Sequence, residues 1–282
     1  MSRQNETPPS SAPTPPAQRP KLRTVHARRR FASARTIIAL VLREMATSYG
    51  RSPGGYLWAV VEPAAAIALL TLIFSLGFQS PSIGVNFPIF YASGMVPFLM
   101  FTDISGKISG SLSYSKALLN YPSITFMDAI LARFIVNLMT QLVVAYIIFF
   151  GILIAFDTRT APDLPVIALA IVMTASLAFG VGTINCFLFT MFPLYQRVWG
   201  VFTRPLFIVS GILFNFDSIP EPYAGYLWFN PLIHVVGIMR RGFYFNYTAA
   251  YASPMYVFGV SLALTLIGLV FLARYHREML NR

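Results

Sequence analysis

Charge is scarce in this chain. Asp, Glu, Lys and Arg together make up 11% of 282 residues, against roughly a quarter in a soluble domain. The shortage excludes an ordinary solvated globule, and a hydrophobic content of 56% with a mean hydropathy of +0.64 points to an integral membrane protein. Alternating segments of about ten residues are missing as well, and the apolar runs are continuous and about twenty residues long, so helices are expected and an outer-membrane barrel is not. Cysteine is reduced to Cys186, which has no disulfide partner in the chain and, inside an apolar run, reads as a small buried side chain. His26, His234 and His276 are too scattered for a metal cluster, so no metal site is expected. No G-x-x-x-x-G-K-[ST] loop cradles a nucleotide phosphate, and any ATP chemistry must be supplied by another subunit.

What charge there is has one dominant sign, with 21 Lys and Arg against 10 Asp and Glu. Residues 1–30 hold Pro8, Pro9, Pro13, Pro15, Pro16 and Pro20 among Ser, Thr and Gln, the composition of a disordered tail. Arg19, Lys21, Arg23, Arg28, Arg29, Arg30 and Arg35 form a basic run. In a chain this apolar, the run points to the cytoplasmic face of an anionic membrane rather than to nucleic acid. The only early apolar stretch, Ile37 to Leu42, is too short for a cleavable signal and continues into Arg43 and Glu44, so no signal peptide is expected.

From residue 31 onward, Phe31, Ala34, Ile38, Val41, Met45 and Tyr49 recur at spacings of three and four, while Thr36, Arg43, Glu44, Thr47 and Arg51 fall away from that face and Leu40 breaks the pattern. This predicts an amphipathic helix lying on the membrane surface. Six spans follow, at about Tyr56 to Gly77, Pro88 to Lys107, Asp128 to Phe156, Leu164 to Met191, Val198 to Phe216 and Pro254 to Ala273. Arg and Lys crowd the stretch before Tyr56, are missing between Phe78 and Phe87, and return at Arg274, Arg277 and Arg282, which places both termini in the cytoplasm. Arg240 and Arg241 fall against that rule, on the outer side.

Two blocks carry a family likeness. The first is Leu42 to Pro63, where the basic amphipathic segment turns through Pro53, Gly54 and Gly55 into the first span. The second is Ser218-Ile219-Pro220, Tyr226-Leu227-Trp228 and Asn230-Pro231-Leu232-Ile233-His234-Val235-Val236, supported by Asn120, Tyr121 and Pro122 in the turn before the third span. Together they resemble the inner-membrane permeases of capsular polysaccharide exporters, within the ABC-2 type transporters. The likeness covers about Ala39 to Arg282, with Gly237 standing where that family commonly has an acidic residue. It implies an ABC-2 type transmembrane domain over 31–282, not an enzyme. It also implies a surface helix before the first span and two short re-entrant helices between the fifth and sixth. Pro220, Pro222, Gly225 and Pro231 suit the last feature, since they interrupt pieces too apolar for an exposed loop.

By the same likeness the chain would work as a homodimer in the bacterial inner membrane. A pair of cytoplasmic ABC ATPase subunits would bind the ATP and Mg, and a lipid-linked polysaccharide would pass on to a periplasmic co-polymerase and an outer-membrane export protein. ATPase contact falls on Ser113, Tyr114, Lys116, Asn120 and Tyr121, and the surface helix on Ile38, Val41, Arg43, Glu44 and Arg51. The substrate path falls on Tyr223, Tyr226, Trp228 and Phe229, whose flat rings stack on sugars while allowing sliding or else anchor at the membrane boundary, together with His234. Arg133, Asn137 and Gln141 share one face of the third span, and Asp103 precedes Lys107 by one helical turn. That polar stripe either guides the substrate or is consumed by mutual pairing of Glu62, Asp103 and Arg133. Arg197 and Arg204 would snorkel to phosphates.

Rival classes fit less well. A membrane glycosyltransferase needs an acidic residue in an outer loop near its first span, and Gln79 to Phe87 has none. A secondary transporter would show two related halves, and no such repeat is present. An O-antigen or teichoic acid exporter permease is the nearest competitor, separated only by the blocks quoted above.

Overall fold

A computed structural model describes residues 32–48, 54–119 and 124–281. The tail expected over 1–30, together with Phe31, Tyr49, Arg51, Asn120 and Tyr121, lies outside the described residues. All regular structure among the described residues is helical: α1 (Ala32–Ser48), α2 (Gly55–Gly77), α3 (Phe87–Ser109), α4 (Ser111–Leu119), α5 (Phe126–Ala155), α6 (Leu164–Met191), α7 (Pro193–Val209), a 3-10 turn (Phe216–Ser218), α8 (Tyr223–Leu227), α9 (Pro231–Phe243) and α10 (Pro254–Asn281).

The ends of these helices follow from local chemistry. Thr125 and Asp128 form a reciprocal capping box at the start of α5, Asp163 accepts from Val166 N at the start of α6, and Asn230 accepts from Leu232 N at the start of α9. Pro88, Pro165, Pro193 and Pro231 open their helices in the first turn, where a missing N–H costs nothing.

Among the described residues, five helices are long and apolar enough to cross a membrane. The least apolar of them, the one built on α3, is the most buried. A helix facing lipid must be apolar all round, whereas one enclosed by protein can carry polar side chains if they are bonded. In α3, Ser93, Ser105 and Ser109 are buried and turn their hydroxyls onto carbonyls one turn back. Around α3 pack α6, α5, α2 and α9, and α10 packs along α6. The α6–α10 approach is close because Gly180 and Gly268 face it: a Cβ on Gly180 would stand 2.6 Å from Ser261 O, and one on Gly268 2.8 Å from Ile184 N.

The fifth expected span differs. Its helix starts earlier, at Pro193, and ends at Val209 rather than near Phe216, giving 17 residues or about 25 Å. Ser210 and Gly211, the latter at φ 75, turn the chain out of the helix. Hydropathy carries the run on through Ile212, Leu213 and Phe214, because it cannot register the side chains that take over the freed carbonyls: Asn230 Nδ2 reaches Val209 O at 3.2 Å, and Arg240 reaches Ile212 O at 3.0 Å and Phe214 O at 2.8 Å.

Candidate functional site: a four-element joint and an aromatic shelf

The joint gathers residues that the sequence assigns to three different jobs. Arg133 on α5 donates from Nε to Glu44 Oε1 on α1 at 3.1 Å and from Nη1 to Lys107 O on α3 at 3.0 Å. Its guanidinium lies 4.1 Å from the centre of the Tyr114 ring on α4, and that of Arg43 lies 5.8 Å away. Thr47 Oγ1 sits 2.6 Å from the Tyr114 hydroxyl and 2.9 Å from Arg43 O, so Thr47 donates to its own helix and Tyr114 donates to Thr47. Four elements therefore meet on one buried ion pair.

This changes the reading of α1. Leu40 and Glu44, one turn apart, are its buried residues, while Ile38, Leu42 and Met45 are exposed and Val41 is half-buried. Glu44, expected to fall away from the packed face, is on it because Arg133 compensates the charge there; Leu40 is the apolar anchor.

The polar stripe of α5 is used up inside the chain, though with other partners than Glu62. Asn137 donates to Arg133 O at 2.7 Å, and Gln141 donates to Asp103 Oδ2 at 2.9 Å. No ion pair joins Asp103 to Lys107 or Arg133 among the described residues. Glu62 is exposed on α2. Beside the joint, Ser113 and Lys116 of α4 open onto a cavity of about 430 Å³ that also takes in Thr190, Pro193 and Gln196 from the α6–α7 corner and Met279 of α10.

On the segment between α7 and α10, which the sequence reading places outside, Tyr223, Tyr226 and Phe229 are exposed, at 64%, 75% and 68%. Trp228 is only half exposed. Its Nε1 donates to Tyr251 O at 3.1 Å, and its ring packs edge-on to His234 and against Tyr256. His234 is fully buried, so it supports the shelf rather than forming its surface. Its Nδ1 accepts from Ser253 N at 3.1 Å, which leaves Nε2–H to donate to Trp228 O at 2.8 Å. Burial holds its pKa below the usual histidine value, keeping this neutral tautomer. The space beside Gly237 is occupied: a Cβ there would stand 2.5 Å from the Tyr251 hydroxyl.

Sequence reasoning did not place Arg240 in the site, although its conflict with the charge bias of the loops marked it. It is 1% exposed, stacks 4.1 Å from the centre of the Phe90 ring, and has no carboxylate within ion-pair range among the described residues. Burial pulls its pKa down to about 10, still high enough to keep the guanidinium charged at neutral pH. Being enclosed in protein, it is no exposed outer charge; Arg241 beside it is exposed.

Among the described residues, five helices apolar enough to cross a membrane, a bonded joint of four elements and an exposed aromatic cluster describe a helical membrane protein. Comparison with known proteins is specific. The family model described as ABC-2 type transporter matches residues 35–244, and the chain belongs to that family. It is 30% identical over 246 residues to the polysialic acid transport protein KpsM of Escherichia coli, covering 87% of this chain and 95% of the relative. It is 29% identical over 245 residues to the capsule polysaccharide export inner-membrane protein BexB of Haemophilus influenzae, covering 86% and 92%. Against the capsule polysaccharide export inner-membrane protein CtrC of Neisseria meningitidis the figure is 28% over 244 residues, again 86% and 92%. The family places the chain among transporter permeases rather than enzymes.

Proposed function

We propose that this chain is the permease subunit of an ABC exporter that moves lipid-linked capsular polysaccharide across the bacterial inner membrane, driven by ATP and Mg held on a separate pair of ATPase subunits. The observation that carries the reading is likeness to capsule-export permeases over nearly the whole length of both chains. The joint supports it physically: α4, the expected contact for the ATPase, is tied through Tyr114 and Arg133 to α1 and α5, so a push on α4 reaches the membrane helices through bonded groups. In this reading α7 is the fifth of six crossings, both termini are cytoplasmic, α1 lies on the inner surface, and α8 and α9 re-enter from outside. Two copies form the working unit, and a periplasmic co-polymerase and an outer-membrane export protein receive the glycan.

The test is to delete the gene and separately to purify the tagged chain in mild detergent. Deletion should abolish surface polysaccharide and leave lipid-linked glycan inside the cell, and purification should bring down a dimer with a Walker-motif ATPase. Normal surface polysaccharide after deletion, or export by a monomer in liposomes without ATP, would overturn the proposal.

A further inference from the structure

Where α6 and α10 touch closely, Gly180 and Gly268 make the room, since a Cβ on either would collide with backbone atoms of the facing helix. Gly151 on α5 does the opposite. A Cβ there would meet nothing within 4 Å, because Gly151 faces an apolar recess between α5 and α2. The recess has a volume of about 490 Å³, with Ala64, Ala68 and Leu72 on the α2 wall, Gly151 and Ile152 on the α5 wall and Phe156 at one end. A second recess of about 340 Å³ continues it toward α1, between Ala59 of α2, Met139 and Val143 of α5 and Met45 of α1. They meet at Val60 and Ile147, which line both. Along α5 the first runs from Ile147 to Phe156 and the second from Ile135 to Ile147, roughly 14 Å and 18 Å at the helical rise. Each is about half of a hydrocarbon core roughly 30 Å thick, the depth of one leaflet.

Such a lining excludes most occupants. Water needs several polar partners, and the side chains offer only three hydroxyls, of which Ser75 and Thr140 already donate to Leu72 O and Val136 O. Sugar fails for the same reason. Both walls belong to helices apolar enough to cross a membrane, and Leu72, Met139, Val143 and Ile147 at the trough are exposed. The medium at that depth is hydrocarbon, and a void there would forfeit contacts along every wall. We infer that the trough is a phospholipid site, with one acyl chain lying in each half, wedged between α2 and α5. Ala64, Ala68 and Gly151 are small enough to let two helices close on each other, yet here they widen the space that a chain fills. A chain held by two helices exchanges more slowly than lipid touching a single face. The site is independent of which polymer the permease exports.

The test places the full chain in nanodiscs of phosphatidylethanolamine and phosphatidylglycerol, with a phospholipid carrying a diazirine on one acyl chain as the probe. After illumination, label should concentrate on residues 59–72 and 139–152 rather than on Leu262, Leu266 and Val270, the exposed face of α10. Gly151→Leu puts a side chain into the recess without a clash and should lower that labelling about tenfold. Gly259→Leu, at a glycine of α10 that also has open space beside it, should leave the labelling unchanged. If Gly151→Leu fails to fold, Ala68→Leu fills the recess from the other wall and should act in the same direction. Equal labelling of α2, α5 and α10, or labelling that survives the filling variants, would mean ordinary boundary lipid and overturn the site. Ala68→Cys in a Cys186→Ala background, which removes the sole native cysteine, should stay unlinked on oxidation in native membranes. A disulfide to a second copy or to another protein would show that protein fills the trough, and would overturn it as well.

Discussion

Arg133 and Arg240 are the two buried arginines among the described residues, and they keep their charge in opposite ways. Arg133 has a full carboxylate, Glu44, and spends its remaining donors and its flat face on Lys107 O and Tyr114. Arg240 has no carboxylate partner among the described residues. Two backbone carbonyls at the broken end of α7 and the face of Phe90 replace its water. The first arrangement ties together helices far apart in the chain through net charge, so each partner depends on the other. The second places a cation on carbonyls of the irregular segment that follows α7, so what depends on it is the path of the chain beyond the helix end. A buried charge thus serves as a joint in one place and as a cap in the other.

Removing the joint should have the largest effect. Arg133→Ala takes the ion-pair partner at 3.1 Å away from the buried Glu44 carboxylate, a loss of about 3–5 kcal/mol. Glu44→Gln should cost less, because Arg133 keeps its carbonyl and ring contacts and gains a neutral acceptor in place of the carboxylate. Thermal unfolding of detergent-purified protein should rank the two in that order. Equal losses would mean that Lys107 O and Tyr114 contribute nothing to solvating Arg133, and the contrast with Arg240 would collapse.

Arg240→Leu comes next, at about 2–4 kcal/mol, since two bonds from a charged donor are lost while an apolar side chain recovers part of the packing. Arg240→Lys should rescue little, because a single ammonium cannot hold both carbonyls and stack on Phe90. The distinguishing readout is local: protease accessibility of residues 210–215 should rise in Arg240→Leu and stay unchanged in Arg133→Ala. A rise in both would show that the two arginines stabilise one cooperative unit and are not separate devices.

The sequence made the class legible because membrane helices must be apolar over their whole length, and length and composition alone carry that information. It also isolated Arg133, Glu44 and Tyr114, but as members of three separate groups. Their meeting depends on how α1, α4 and α5 pack, with Glu44 and Arg133 standing 89 positions apart in the chain, and periodicity within one helix cannot supply that. For the same reason Glu44 reads as a solvent-facing residue on its own helical wheel: the wheel has no knowledge of Arg133. The end of α7 was out of reach because the groups that cap it, Asn230 and Arg240, lie 21 and 26 residues or more away from the carbonyls they bind. The outer aromatics were found as a cluster, but their division into exposed Tyr223, Tyr226 and Phe229 and supporting Trp228 and His234 needed the bonds to Tyr251 and Ser253.

That division sets the smallest expected effect on stability, and it separates function from folding. Trp228 is bonded through Nε1 and packed on His234 and Tyr256, so Trp228→Ala should destabilise the outer segment whatever its role in export. Tyr226 is 75% exposed, and the contacts of its ring are left to whatever passes outside the fold. Tyr226→Ala should therefore change stability by less than about 0.5 kcal/mol. If the shelf grips the moving glycan, the same change should lower surface polysaccharide. A sliding polymer cannot be held by many directional hydrogen bonds that must break at each step, whereas ring stacking of roughly 1 kcal/mol per contact gives hold with low barriers. Tyr226→Phe should keep export, because the stacking face survives without the hydroxyl. Measuring melting temperature, copurifying ATPase and surface polysaccharide for Tyr226→Ala and Trp228→Ala side by side decides the matter. Loss of polysaccharide alone in Tyr226→Ala marks a substrate contact, and unchanged polysaccharide in a stable Tyr226→Ala protein would leave the shelf as a membrane anchor.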